Sequence, residues 1–204
     1  MHAAMKRGLT ILWVGALALI GVAGIALVLR QVPDRGTAMQ PAAQARIGGA
    51  FALIDETGQQ VSDRTYRGRW MLVFFGFTFC PDVCPTALNE VALTLRDLGP
   101  LAGRIQPLFI SVDPERDTPS QLVEYTGAFD SRIVGLTGTP AEIAAAARAY
   151  GAYYRKVGGG DDYTMDHSAI IYVMNPEGRF VTSFKHMSGA DRMVKALRPL
   201  LAKS

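Results

Sequence analysis

Trp70-Met71-Leu72-Val73-Phe74-Phe75-Gly76-Phe77-Thr78-Phe79-Cys80-Pro81-Asp82-Val83-Cys84-Pro85 is the stretch on which the fold turns. Trp70 to Phe75 is an unbroken apolar run of strand length, as expected for a strand buried on both faces. Pro85 reads as the first residue of a helix, with Cys84 as its cap, because a missing N–H costs nothing there. Leu88, Val91, Ala92 and Leu95 give that helix an apolar stripe. The strand therefore runs through a short loop into a helix, and this junction holds Cys80 and Cys84, the only two cysteines of the 204-residue chain.

Working outward, Ile105 to Val112 and Ile133 to Leu136 read as further strands. Thr118-Pro119-Ser120-Gln121 and Thr139-Pro140-Ala141-Glu142 each fit a capping box with Pro at the first helical position. Ser168 to Met174 and Arg179 to Phe184 flank the turn Asn175-Pro176-Glu177-Gly178. Ser188 to Asp191 opens a last helix, which Pro199 is expected to kink or shorten. Upstream, Ala50 to Asp55 and Gln59 to Ser62 flank Glu56-Thr57-Gly58 as a short hairpin. Alternating βα units predict an α/β domain with a mostly parallel central sheet covered by helices. The closing hairpin and helix make it a thioredoxin-like layout with an extra N-terminal β-hairpin.

The first thirty residues contain no acid, and Leu9 to Leu29 carries no charge at all. As a helix that run would span about 31 Å, enough to cross a bilayer and longer than a signal-peptide core. The sequence thus predicts a short N-terminus at 1–8, a transmembrane anchor at 9–29, a linker at 30–49 and a folded domain at 50–204. Lys6 and Arg7 place the N-terminus in the cytoplasm and the domain in the periplasm. Eight residues ahead of the span leave no room for an organelle transit peptide, so a single pass through a bacterial inner membrane is expected. The net charge of +3 belongs to Lys6, Arg7 and Arg30, because 18 basic and 18 acidic residues remain after them. No basic stripe is left to argue for nucleic acid.

The cysteine pair admits three readings. A plain disulfide suits an oxidising compartment but would close too short a loop to stabilise much. A redox pair at a helix start gains thiolate character from the helix dipole, although the usual spacing of such pairs is one residue shorter. A peroxidase fits poorly, since Thr78 lies only two residues before Cys80. A soft metal is the third reading, because two thiolates select Cu(I) or zinc and imidazole suits either. Zinc usually needs four ligands, so a chain with two Cys and three His suits copper better. His2 precedes the span and cannot join the pair. His186 is expected at the surface. His167 ends a polar loop and begins an apolar strand, a junction that the thioredoxin layout places beside the helix start. Asp166 would orient its ring or merely be solvated, and Met165 reads as a packing residue.

Phe75-Gly76-Phe77-Thr78-Phe79-Cys80-Pro81-Asp82-Val83-Cys84-Pro85, Val112-Asp113-Pro114-Glu115-Arg116-Asp117-Thr118-Pro119 and Asp166-His167-Ser168 resemble the three signatures of the Sco/SenC family. The likeness runs from about Phe51 to Leu201. It implies a membrane-anchored copper protein that helps assemble the binuclear copper site of cytochrome c oxidase subunit II. The family's copper ligands, for Cu(I) and also Cu(II), fall on Cys80, Cys84 and His167. Asp82 corresponds to a residue placed to meet a partner or tune the site. The implied activity is that of a metallochaperone and not an enzyme. The alternative is a thiol–disulfide reductase that uses Cys80 and Cys84 as a redox-active disulfide. Implied partners are the oxidase subunit, a periplasmic thiol reductant and another copper chaperone as metal donor.

Overall fold

A computed structural model describes residues 47–160 and 162–203. The expected anchor at 9–29, the segment before it and most of the linker lie outside the described residues. Among the described residues no helix is long and apolar enough to cross a membrane.

The chain runs β1 (Ala52–Asp55), β2 (Gln60–Ser62), β3 (Trp70–Gly76), α1 (Val83–Leu98), β4 (Ile105–Ser111), α2 (Pro119–Gly127), β5 (Val134–Thr137) and α3 (Pro140–Tyr150). It continues with β6 (Tyr154–Val157), β7 (Thr164–His167), β8 (Ile170–Met174), β9 (Phe180–Lys185) and α4 (Ala190–Lys203). Seven strands form one sheet in the order β2-β1-β5-β4-β3-β8-β9, and β6 and β7 pair only with each other.

The sheet is more mixed than the alternating βα pattern predicts. Only β3–β4 and β4–β5 are parallel. The pairs β1–β2, β1–β5, β3–β8 and β8–β9 are antiparallel. The alternation stops at β5, and antiparallel pairs need no helical crossover between their strands.

β3 has a neighbour on each side, which explains its uniformly apolar sequence; every residue from Trp70 to Gly76 is buried. β4 is buried along its whole length too. The two parallel strands end together, with Gly76 opposite Ser111. β8 enters at this same edge, since Phe74 pairs with Ile171. The residues after β3, after β4 and just before β8 therefore converge at one edge. In open α/β sheets ligands bind beyond the carboxyl ends of the parallel strands, which is this edge.

The helices cover this frame. α1 lies against α4, α2 against β5 and α3 against β1. Both predicted capping boxes form, with Thr118 accepting from the Gln121 N–H and Thr139 from the Glu142 N–H. α3 ends on Gly151 at φ +64°, the left-handed cap conformation that glycine adopts without strain. α4 runs through Pro199 to Lys203, so the proline does not end it.

Two further expectations are corrected. Residues 154–167 are not a plain polar loop, because β6 and β7 pair from Tyr154–His167 to Val157–Thr164. The short, charge-bearing strands hide this pairing from any search for apolar runs. His186 is half-buried, because its N–H bonds to the Ala169 carbonyl and extends the β8–β9 hairpin past Lys185.

Candidate metal centre

α1 begins two residues earlier than Pro85 indicates. Asp82 is the residue before its first turn, Val83 starts it, and the Thr86 N–H makes the first bond back to the Asp82 carbonyl. Pro85 is tolerated as the third helical residue because the first four N–H groups of a helix have no intrahelical partner. Cys84 is thus inside the first turn, and Cys80 lies in the preceding loop.

The two thiols are free and unequal. Cys84 is fully buried and Cys80 half-buried. The backbone N–H of Cys84 donates to Cys80 Sγ at 3.4 Å. Gly76 makes room for Cys84, since a Cβ there would lie 2.6 Å from its sulfur and 2.7 Å from Phe109 Cε2. Hydrogen bonding from the Cys84 thiol, opposed by burial and helped by His167 and two backbone N–H groups, holds Cys80 well below the ordinary thiol range. Burial, with the facing Cys80 sulfur, pushes Cys84 up. Cys80, half-buried, is the sulfur disposed to the thiolate form, and buried Cys84 is the one disposed to keep its proton.

His167, 83 residues after Cys84, meets this pair. Its Nε2 lies 3.4 Å from Cys84 Sγ and 3.9 Å from Cys80 Sγ. Edge-on contacts with Phe74 and Phe77, at centroid distances of 6.0 and 5.7 Å, fix the plane of the ring. Nδ1 faces the Ser168 carbonyl at 3.3 Å. A carbonyl only accepts, so Nδ1 carries a proton, and Nε2 is the ring atom turned to the sulfurs.

One donor atom from each of Cys80, Cys84 and His167 falls within 4.8 Å of the others. Asp82 is exposed at the start of α1, and its carboxylate receives a 3.4 Å hydrogen bond from Thr86. The Asp166 carboxylate pairs with Arg155 at 2.9 Å and does not take the histidine proton. Met165 is buried in the core as a packing residue.

Sequence reasoning treats Asp113 to Pro119 as turn and cap chemistry, and the structure gives this segment a larger part. Asp117 is fully buried and accepts from the Thr78 N–H at 3.0 Å, the Thr78 hydroxyl at 2.6 Å and the Ser111 hydroxyl at 2.6 Å. It bolts the cysteine loop to the end of β4. Asp113 accepts from Arg116 Nε at 2.6 Å and from the Tyr163 hydroxyl at 2.7 Å. The available signal is three acids in five residues, Asp113, Glu115 and Asp117, directly after the apolar β4 run, since acids require partners if buried. A groove of about 430 Å³ beside the cysteine loop is lined by Thr78, Phe79, Gln121, Glu124, Tyr125 and Ala128.

The family profile described as SCO1/SenC matches residues 39–202. The Arabidopsis thaliana protein named "Protein SCO1 homolog 1, mitochondrial" is 45% identical over 154 residues, covering 74% of this chain and 46% of the relative. The chain thus spans about half the length of that relative. Protein SenC of Rhodobacter capsulatus is 42% identical over 171 residues, covering 80% of this chain and 77% of SenC. The solved structure of Bradyrhizobium japonicum ScoI with copper bound superposes with a TM-score of 0.70 at 45% identity, covering 75% of this chain and 98% of that one. A profile match across nearly the whole folded part, a shared thioredoxin-like fold and identities above 40% establish that the chain belongs to the SCO1/SenC family.

Proposed function

We propose that this chain is a membrane-anchored metallochaperone that carries one copper ion on Cys80, Cys84 and His167. Its destination in this reading is the binuclear copper site of cytochrome c oxidase subunit II. One observation carries the proposal: two reduced sulfurs and an imidazole nitrogen meet within 4.8 Å of one another. Thiolates with imidazole suit Cu(I) or zinc. Structural zinc sites close with four ligands. Among the described residues no fourth His, Cys, Asp or Glu joins the three, which favours copper. The likeness to a copper-bound relative at 45% identity supports the same choice.

In this reading the copper is cargo. It leaves by ligand exchange as the acceptor's donors displace Cys80, Cys84 and His167 in turn. Asp82, exposed beside the ligands, is placed to touch the acceptor. Residues 9–29 anchor the chain, 30–49 form the linker, and the domain 50–204 faces the bacterial periplasm. The apolar run behind Lys6 and Arg7 and the likeness to SenC of Rhodobacter capsulatus support that placement. An oxidising compartment would close the cysteine pair, so a thiol reductant is needed to keep it open. Another copper chaperone would supply the metal. The test is metal analysis of the reduced protein alongside Cys80→Ser and His167→Ala. Full copper affinity and an unchanged spectrum in His167→Ala would refute the three-ligand site.

The unequal thiols favour a second reading, a thiol–disulfide reductase. The Cys80 thiolate attacks an acceptor disulfide, forms a mixed disulfide and expels one acceptor thiolate. Cys84 then attacks Cys80, closes the Cys80–Cys84 disulfide and yields its proton to the second acceptor sulfur. Two electrons have passed to the acceptor. This reaction does not need His167. Disulfide turnover by metal-free protein, undiminished in His167→Ala, selects this reading.

A further inference from the structure

Among the described residues β6 and β7 share no strand ladder with the main sheet, although His167 at the end of β7 lies three residues before Ile170 of β8, which pairs with β3. β8 brings the histidine's backbone to this edge, and side-chain contacts settle how the hairpin that carries it sits against the cysteine loop. Arg116 reaches both sides. Towards the cysteines, its guanidinium carbon lies 4.6 Å from the Phe79 ring centroid and 6.0 Å from that of Phe77. Towards the histidine, it lies 3.7 Å from the ring centroid of Tyr163, the residue just before β7. Nη1 donates to the Tyr163 carbonyl at 3.0 Å and Nε donates to Asp113 at 2.6 Å. The Tyr163 hydroxyl donates to the same carboxylate at 2.7 Å. These contacts close a ring through Arg116, Asp113 and Tyr163.

We propose that Arg116 is a positioning residue for the metal centre: it clamps the β6–β7 hairpin to the cysteine loop and so holds His167 Nε2 at the sulfurs. The proposal rests on the three-ligand reading above. The Arg116 side chain is only 19% exposed, so its ion pair with Asp113 is largely shielded from solvent. The neighbouring Lys156–Glu115 pair is open to water on both sides and contributes little. Buried Tyr163 and Met165 attach the hairpin by packing, which is non-directional. The planar guanidinium fixes direction, because its fork binds a carboxylate and a carbonyl while its face stacks on two rings. A lysine would keep the charge and lose the fork.

The test uses the full chain in detergent micelles, metal-free and reduced, as parent, Arg116→Ala, Arg116→Lys and Tyr163→Phe. Hydrogen exchange is followed at the amides of 154–157 and 164–167, with β3 and β4 as reference. In Arg116→Ala the hairpin amides should exchange about tenfold faster while β3 and β4 keep the parent's rates, the signature of a locally released unit. Arg116→Lys and Tyr163→Phe should fall between. Loaded with Cu(II), Arg116→Ala should shift its sulfur-to-copper absorption toward that of His167→Ala. Unchanged hairpin exchange overturns the clamp. So does a rise shared by β3 and β4, which is ordinary destabilisation. Faster hairpin exchange with the parent's copper spectrum also overturns it, because His167 would then be placed by other contacts. A parent that binds no copper refutes the metallochaperone reading instead, and the metal-free exchange still decides whether Arg116 clamps the hairpin.

Discussion

The sulfurs and the imidazole of this centre are held by different means. Cys80 and Cys84 follow β3, which is paired on both sides and buried throughout. Gly76 at the end of that strand receives the Cys84 sulfur directly. His167 ends β7, which pairs with one short strand and no other. Core packing and the Asp117 hydrogen bonds hold the sulfurs, whereas the imidazole rests on Phe74 and Phe77 at the end of a hairpin tethered by side chains. Damage to the core should therefore cost stability and sulfur geometry together. Damage to the tether should cost only the third ligand.

The largest test of that contrast removes a sulfur. Cys84→Ser and Cys80→Ser should each abolish stoichiometric copper binding in an equilibrium titration, because a single remaining thiolate and an imidazole make a poor soft-metal site. His167→Ala comes next. It should keep the metal on the sulfur pair but lower the affinity by more than the roughly 10–100-fold that losing an outer-shell partner costs, and should melt like the parent. Equal losses in the cysteine and histidine variants would erase the distinction.

Gly76→Ala probes the core side alone. Its Cβ would sit 2.6 Å from Cys84 Sγ and 2.7 Å from Phe109, both packed within the core. Overpacking of this kind costs about 1–3 kcal/mol, read as a lower Tm, and should also change the alkylation rate of Cys80. A variant with the parent's melting and thiol reactivity would show that the sulfur seat is looser than the packing indicates.

The smallest effect concerns pH. Burial raises the Asp117 carboxyl above its ordinary value, against the hydrogen bonds from Ser111 and Thr78. Folding therefore favours the protonated form. That contribution is complete below the unfolded value of about 4 and is lost as pH rises through the folded value. Asp117→Asn does not titrate. The parent should lose stability relative to this variant as pH rises from about 4 towards neutrality. A Tm difference that stays flat over this window would contradict the assignment.

The parts of the fold carried by long apolar periodicity were readable in the sequence. β3, the α1 stripe, β4 and the two capped helices all combine strong local signals with agreeing tertiary demands. The β6–β7 pair is not legible in the sequence because Tyr154-Arg155-Lys156-Val157 and Thr164-Met165-Asp166-His167 have neither a continuous apolar run nor a tight two-residue turn between them. α1 starts at Val83 and not at Pro85, because proline is tolerated through the whole first turn and so does not mark its first residue. In the site, Cys80 and Cys84 announce themselves by type and spacing. The thioredoxin layout points to His167 beside them and the family likeness specifies it, since no local rule links residues 83 positions apart. The roles of Asp113, Arg116, Asp117 and Tyr163 were illegible for the same reason, as each depends on partners distant in the chain.

The seating of Cys84 bears on how cargo would change hands. Its sulfur has no exposed surface and has the backbone of Gly76 behind it. Cys80 stands half open at the rim. A docking acceptor would therefore find its avenues of attack at the half-open donors, Cys80 and His167. The inner sulfur would surrender its bond only after such a substitution had loosened the ion, giving the departure a fixed last step.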